Sequence, residues 1–262
     1  MLMVRIALSA TANTDVDLNQ SHQQLSMSVD FNALRVTNPQ EQIQTVVMQN
    51  GRDDNKKVNT PPNYTTAQGL RWEHCRGLIF DAGNEYHKYE VLDPSHTTMG
   101  LEAMTWDEQQ RRYHAVPFAV EPRRNYIYDT DANGAFLIRN SDNTEIDYTS
   151  DYVWVHYRLK PFRHYTDAHV RVDGRWACGD KEDYTLQWNN DEQIYEGCVM
   201  QKLGYYNYQF ILADYDGTTH MLPEEGSFYQ TENRYEALVY YRGTGERSWR
   251  LVGYQEITFR LR

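Results

Sequence analysis

The sequence predicts an all-β protein built from two β-sandwich domains in tandem. Apolar residues recur mostly at a period of two, and β-branched or aromatic residues dominate the short apolar runs. Clusters of Asn, Asp, Gly and Pro bound these runs, which is typical of strands joined by turns. Helical periodicity does not extend beyond about three turns anywhere in the chain. A length of 262 residues is sufficient for two sandwiches.

Strands are predicted, in chain order, at residues 43–48, 77–80, 112–120, 151–159, 194–200 and 235–241. In the run 151–159, the odd positions from 153 onward hold Val, Val, Tyr and Leu, and the even positions from 152 onward hold Tyr, Trp, His and Arg. This alternation is typical of a half-buried antiparallel strand. Pro117 is expected at a sheet edge or a bulge, because proline cannot donate a ladder hydrogen bond.

The chain is divided at a polar stretch, residues 141–150, which predicts a sandwich over residues 1–149 and a second sandwich over residues 150–262. Asn133–Gly134 and Asp216–Gly217 are predicted tight turns, because such dipeptides readily adopt positive φ. Residues 50–69 lack periodicity and are predicted to be a long loop with a docking or insertion role.

The first ten residues are interpreted as a strand. The alternative is a signal peptide cleaved near Ala12, although the segment is short, contains Arg5 and lacks a basic stretch before its apolar run. If the strand interpretation holds, any native signal peptide is expected upstream of this sequence.

Composition excludes some classes of protein. The apolar runs are far shorter than the ~20 residues of a transmembrane helix. With 26 Lys and Arg against 37 Asp and Glu, the net charge is −11. This acidic balance argues against nucleic-acid binding, which requires a basic face. The chain holds 21 tyrosines, and tyrosine is enriched at protein interfaces, which favours a binding role.

Motifs that would indicate catalysis are absent from the sequence: it contains no phosphate-binding glycine loop, nucleophile elbow or zinc-protease signature. Residues Asp129, Asp131 and Asn133 match the first half of a calcium loop, but Asn140 stands where the bidentate glutamate is expected. A plain Asn-Gly turn is therefore favoured over a calcium site. Neither a catalytic residue nor a cofactor is predicted.

Cysteine usage leaves one pairing open. Cys178 and Cys198 lie on neighbouring predicted strands and could form a disulfide if their Cα atoms approach within ~7 Å. Buried free thiols are the alternative. Three cysteines in total, with Cys75 the third, are too few for a disulfide scaffold.

Seven stretches together resemble one known family in the family's own order. They are residues 49–52 (QNGR), 80–85 (FDAGNE), 128–134 (YDTDANG), 151–156 (DYVWVH), 203–209 (LGYYNYQ), 225–245 (EGSFYQTENRYEALVYYRGTG) and 250–254 (RLVGY). The family is that of the type IX secretion system plug proteins, and the chain is similar to the later part of a member.

The resemblance implies a periplasmic, all-β, non-catalytic protein, peripheral to the outer membrane, which closes the periplasmic mouth of the translocon barrel. Its expected partner is that outer-membrane barrel protein. The family offers no catalytic residues to transfer, and no metal-binding residue is predicted.

A second resemblance provides the alternative function. Residues 168–176, 186–188, 195–196 and 203–210 are similar to the immunoglobulin-like, early-set sandwich of glycogen-binding modules. In such a carbohydrate-binding module, Trp176, Trp188 and Tyr205 would form an aromatic platform for sugars. Packing of these rings in the core is the competing hypothesis, because buried aromatic residues commonly anchor sandwiches.

Overall fold

A computed structural model describes residues 4–15, 21–31, 34–142, 145–178 and 181–261. Its strands are β1 (Arg5–Thr11), β2 (His22–Asp30), β3 (Ile43–Gln49), β4 (Lys57–Val58), β5 (Tyr64–Thr66), β6 (Gly69–Trp72), β7 (Ile79–Asp81), β8 (His87–Val91), β9 (Leu101–Asp107), β10 (Arg112–Pro117), β11 (Phe136–Ile138), β12 (Tyr152–Leu159), β13 (Ala168–Asp173), β14 (Gln187–Asn189), β15 (Ile194–Lys202), β16 (Gly204–Asp214), β17 (Thr219–Met221), β18 (Asn233–Tyr241) and β19 (Arg250–Phe259). The α-helices are α1 (Pro39–Gln42) and α2 (Ile146–Thr149). The predicted all-β class is confirmed.

The chain forms two compact units. Unit 1 comprises residues 1–84 and 227–262, and unit 2 comprises residues 85–226. The predicted division into residues 1–149 and 150–262, in tandem, is therefore corrected: unit 2 interrupts unit 1. The physical reason is strand pairing, because β10 pairs with β12 and β8 pairs with β16 across that boundary. The polar stretch 141–150 contains a turn and α2 within unit 2.

Unit 1 contains two sheets. One has the order β1-β2-β6-β5, with β7 also on β2, and the other has the order β19-β18-β3-β4. Pairing of β3 with β18 joins the early and late parts of the chain. The apolar core includes Leu25, Val29, Trp72 and Tyr235. The opening segment forms β1, as the strand interpretation predicts.

Unit 2 also contains two sheets. The first has the order β14-β15-β12-β10-β9; in the second, β16 pairs with β8, β11, β13 and β17. The core is rich in tyrosine, and Tyr89, Tyr157, Tyr206 and Tyr208 are all buried in it. Among the described residues of both units, no helix is long and apolar enough to cross a membrane.

The six predicted strands correspond to strands of the structure, with local differences. β12 buries alternate residues as predicted, but it pairs parallel with β10 as well as antiparallel with β15. The ladder between β9 and β10 shifts register at Pro117, which confirms the predicted bulge. The predicted loop 50–69 contains β4, β5 and the start of β6. These strands are too short to show a periodic pattern in the sequence.

Candidate functional site

The outward side of the first sheet of unit 2 presents a mixed aromatic and cationic surface. We call it the outer face and define it by Arg112, His114, Trp154, His156, Cys198 and Met200. These residues alternate with the buried residues of β10, β12 and β15, so the pleat directs them away from the core.

Trp154 lies near the middle of the outer face. The guanidinium of Arg112 lies over its ring, 4.9 Å from the centroid. Met200 is the register partner of Trp154 on β15 and is 55% exposed. Aromatic, Met and Arg side chains are enriched in protein interfaces, so the composition of this surface is typical of a docking area.

An imidazole pair lies beside Trp154. Nδ1 of His114 is 2.7 Å from Nε2 of His156. One of the two nitrogens must accept the hydrogen bond and therefore carries no proton, so at least one ring is neutral. Burial lowers the pKa of His156, and the neighbouring His114 lowers it further, against the opposing effect of Glu196. His156 is therefore favoured in the neutral state at pH 7.

Cys198 extends the row of polar side chains onto β15. Its Sγ is 3.6 Å from Nε2 of His156. Partial burial of its sulfur raises the pKa of the Cys198 thiol to about 11, against the opposing effect of Arg112. A thiol with that pKa is protonated at neutral pH and is a poor nucleophile. Over the described residues, no three His, Cys, Asp or Glu side chains are grouped to hold a metal ion.

The three residues of the predicted sugar platform are not assembled into one surface. Trp176 is half-buried, stacks on Tyr157 at 5.9 Å and donates from Nε1 to the carbonyl of Asn207 at 2.7 Å. Trp188 packs against the core of unit 2 and stacks on His164 at 4.5 Å.

Tyr205 lies apart from Trp176. It precedes buried Tyr206 on β16, so its side chain points to the opposite face of that sheet from the core on which Trp176 packs. The two tryptophans therefore pack against the core. The three rings do not form one surface on which a pyranose could stack.

The candidate calcium stretch is a turn held by its own chain. Asp131 accepts hydrogen bonds from the backbone N–H groups of Tyr86 and Asn133, and Asp129 pairs with Lys88 at 2.6 Å. Asn133 and Gly134 both have positive φ, as a tight Asn-Gly turn requires. The turn precedes β11, whereas Asp216–Gly217 joins the paired strands β16 and β17.

All three cysteines are described, and each is a free thiol. Cys75 is buried, whereas Cys178 and Cys198 are exposed. The disulfide that the sequence left open between Cys178 and Cys198 is therefore not formed.

Several polar residues of the family-like stretches lie buried inside the units. In unit 1, Asn233 donates to Gln23 and to the carbonyl of Ala82, and Asn50 donates to Asn233 at 2.8 Å. Thr231 donates to the carbonyl of Gly83 at 2.7 Å. These contacts are structural, since each satisfies a polar group that burial would otherwise leave without a partner.

In unit 2, the corresponding buried group is Glu225. It accepts hydrogen bonds from the N–H of Phe210 at 2.8 Å and from Arg123, and its Oε2 lies 2.8 Å from Nε2 of His87. Glu85, two residues before His87, accepts a hydrogen bond from Tyr126 at 2.6 Å. Sequence reasoning did not identify this cluster, because His87 and Glu225 are separated by 138 positions and the members share no local motif.

Comparison with known proteins finds similarity to a solved structure. No protein-family model matches the chain, and no curated protein matches it. A hypothetical protein from Parabacteroides merdae ATCC 43184, known from a crystal structure at 2.30 Å resolution, is similar with a TM-score of 0.90 and 32% sequence identity. The match covers 98% of this chain and 65% of that protein, so the chain spans less than two thirds of its neighbour's length.

Proposed function

We propose that this chain is a non-catalytic component of a bacterial type IX secretion system. In this proposal it acts in the periplasm, at the outer membrane, as a plug that closes the translocon barrel. The observation that carries the proposal is the set of seven family-like stretches, which extends from residue 49 to residue 254.

The position of these stretches in the fold supports the proposal. Their polar residues supply buried hydrogen bonds in both units, as Asn233 does in unit 1 and Glu225 does in unit 2. Residues that satisfy buried polar groups specify a framework rather than a variable surface. The resemblance therefore concerns the architecture of the whole chain rather than a single motif.

The outer face of unit 2 is the surface that we assign to the barrel. Trp154 supplies a large ring, Arg112 lies on that ring, and Met200 supplies a flexible apolar contact. Closing an aqueous pore requires a broad contact held by a few strong anchors, and Trp and Arg are the residues that most often act as such anchors.

The decisive experiment is reconstitution of the protein with its translocon barrel. Co-purification should recover a complex, and the conductance of the barrel in a planar bilayer should fall when the protein is added. An absence of both association and conductance change would refute the proposed function.

Variants of the outer face test the surface assignment. Trp154→Ala should weaken the complex at least about tenfold, since central tryptophans commonly contribute about 2 kcal/mol or more to an interface. Ile127→Ala is the matched control, because Ile127 is 78% exposed in unit 2 and lies outside the outer face. Equal affinity of the two variants would remove the outer face from the interface while leaving the plug function open to test by conductance.

A further inference from the structure

A groove in unit 1 opens beside the end strands of its two sheets. It has a volume of about 350 Å³, and its floor is formed by Ile43, Leu70 and Trp72. Polar rim residues include Gln40, Asn59 and Thr65, and three prolines complete the wall. This volume lies at the small end of the range for ligand pockets, so the groove suits one or two side chains rather than a large body.

The groove is preformed, because hydrogen bonds fix the segment on its rim. The N–H of Asn59 donates to the carbonyl of Thr45 at 2.8 Å, and the N–H of Thr45 donates to Oδ1 of Asn59 at 3.0 Å. The indole N–H of Trp72 donates to the carbonyl of Thr60 at 2.8 Å. A ligand would therefore find the cavity without ordering this segment first.

The charge of the groove restricts its ligand. All eleven lining residues are uncharged, in a chain of which 24% of residues are charged. A charged group placed there would lose its hydration without gaining a counter-ion, so the groove excludes charged occupants. Trp72 is 1% exposed, which leaves no open ring face on which a sugar could stack.

Strand β5 provides the polar half of the site. It is the last strand of its sheet and pairs only with β6 among the described strands. Thr65, its central residue, lines the groove. An extended segment added beside β5 would place the side chain opposite Thr65 on the same face, above the apolar floor, because facing residues of paired strands share a face.

We propose that this groove binds an extended, uncharged segment of a partner polypeptide by strand addition to β5, with one apolar side chain inserted toward Trp72. Backbone hydrogen bonds to β5 would supply affinity, and the cavity would select the anchoring side chain. The groove lies within unit 1 and would bind such a segment whether or not the chain closes a translocon.

The test begins with selection of random displayed heptapeptides on the intact protein. Selected sequences should be uncharged, with an apolar residue flanked by residues suited to a strand, and the synthetic peptide should slow amide exchange in residues 57–72. Failure to enrich peptides, enrichment of charged ones, or protection elsewhere would overturn the proposal.

Two matched variants locate the site. Thr65→Lys places a charge at the rim and should weaken the selected peptide at least about tenfold. Gln68→Lys adds the same charge to the exposed β5–β6 turn outside the groove and should change affinity by less than about twofold. Equal affinities would contradict strand addition at β5, and tight binding of maltoheptaose in place of peptide would assign the groove to a sugar instead.

Discussion

The two units solve the problem of a polar interior in different ways. In unit 1, the described buried polar side chains are all uncharged: Gln23, Gln24, Gln42, Thr45, Gln49, Asn50, Asn84, Thr231 and Asn233. In unit 2, the buried polar side chains include the carboxyl groups of Glu85, Glu224 and Glu225. Amides do not titrate, whereas a buried carboxylate depends on its partners to remain ionised.

Gln23 illustrates the neutral solution of unit 1. Its amide nitrogen donates to the carbonyls of Tyr229 and Thr231 at 2.9 and 2.8 Å, and its oxygen accepts from Asn233 and Tyr235 at 3.1 and 2.7 Å. Two donors and two acceptors are satisfied by one side chain that carries no charge. Such a cluster holds strands together without a dependence on pH.

Glu225 illustrates the charged solution of unit 2. Burial alone would raise the pKa of Glu225. The charges of His87 and Arg123, with hydrogen bonds from His87 and from the backbone N–H of Phe210, outweigh burial and lower the pKa to about 2. Beside it in the chain, Glu224 accepts from the N–H of Phe162 at 2.5 Å and from the hydroxyl of Tyr165 at 2.9 Å. The comparison teaches that acid should loosen unit 2 before unit 1.

The largest expected effect comes from Glu225→Gln. Removing this charge leaves Arg123 without its buried partner and should lower the free energy of opening unit 2 by about 3–5 kcal/mol. Native-state hydrogen exchange can read β16 in unit 2 separately from β18 in unit 1. Exchange in β16 should accelerate far more than exchange in β18.

The contribution of Glu225 to the stability of unit 2 should depend on pH. Because the folded pKa of Glu225, about 2, lies below the unfolded value of about 4.5, its contribution is complete above pH 4.5 and is lost as the pH falls toward 2. Glu225→Gln should remove this acid dependence from β16. The control Glu121→Gln breaks an exposed pair with Lys160 and should leave exchange in β16 nearly unchanged; a comparable acceleration in both variants would contradict the special role of the buried charge.

A somewhat smaller effect is expected from Gln23→Glu, which converts the neutral interior of unit 1 into a charged one. The new carboxylate would face the carbonyl oxygens of Tyr229 and Thr231, so the protonated form would be favoured and its pKa raised. Opening of unit 1 at neutral pH should become easier by about 3 kcal/mol.

The pH dependence of stability expected for Gln23→Glu is opposite in sign to that expected for Glu225. A carboxyl group whose folded pKa is raised contributes stability below its unfolded pKa, which is lost as the pH rises through the folded pKa. The protection of β18 amides, measured relative to their intrinsic exchange rates, should therefore fall as the pH is raised from 4 to 7. Gln68→Glu, at an exposed turn of unit 1, should leave β18 unchanged, and an unchanged pH profile for Gln23→Glu would show that the interior of unit 1 admits water.

Local patterns of the sequence predicted local structure, as β12 shows. Its alternation reports which residues are buried, because the pleat imposes a period of two. The unit boundary could not be predicted in this way. It depends on the pairing of β3 with β18 and of β8 with β16, and local composition does not encode which distant strands pair.

The candidate sites show the same limit. Tyr205 and Tyr206 are adjacent tyrosines on opposite faces of one sheet, so residue type alone could not place Tyr205 apart from Trp176. The sequence predicted part of the outer face, because the alternation in residues 151–159 places Trp154 and His156 on the same polar face. Arg112 and Cys198 lie on the same face because β10 and β15 pair with β12 in a particular register, and the sequence pattern does not predict that register.

The smallest expected effect concerns the imidazole pair of the outer face. The pKa of His156 is lowered below the unfolded value of about 6.5, so its stabilising effect is complete above pH 6.5 and is lost as the pH falls toward the lowered pKa. Solvent screening at this half-exposed site should limit the loss to less than about 1 kcal/mol.

His156→Asn should flatten the pH dependence of β12 protection, measured relative to intrinsic exchange rates, between pH 7 and pH 5. His96→Asn, at an exposed position of unit 2, should not. An NMR titration of the imidazole protons measures the pKa directly. A pKa for His156 at or above 6.5 would contradict the lowered pKa of this residue. It would also restrict the acid sensitivity of unit 2 to Glu225, which would sharpen the contrast with the uncharged interior of unit 1.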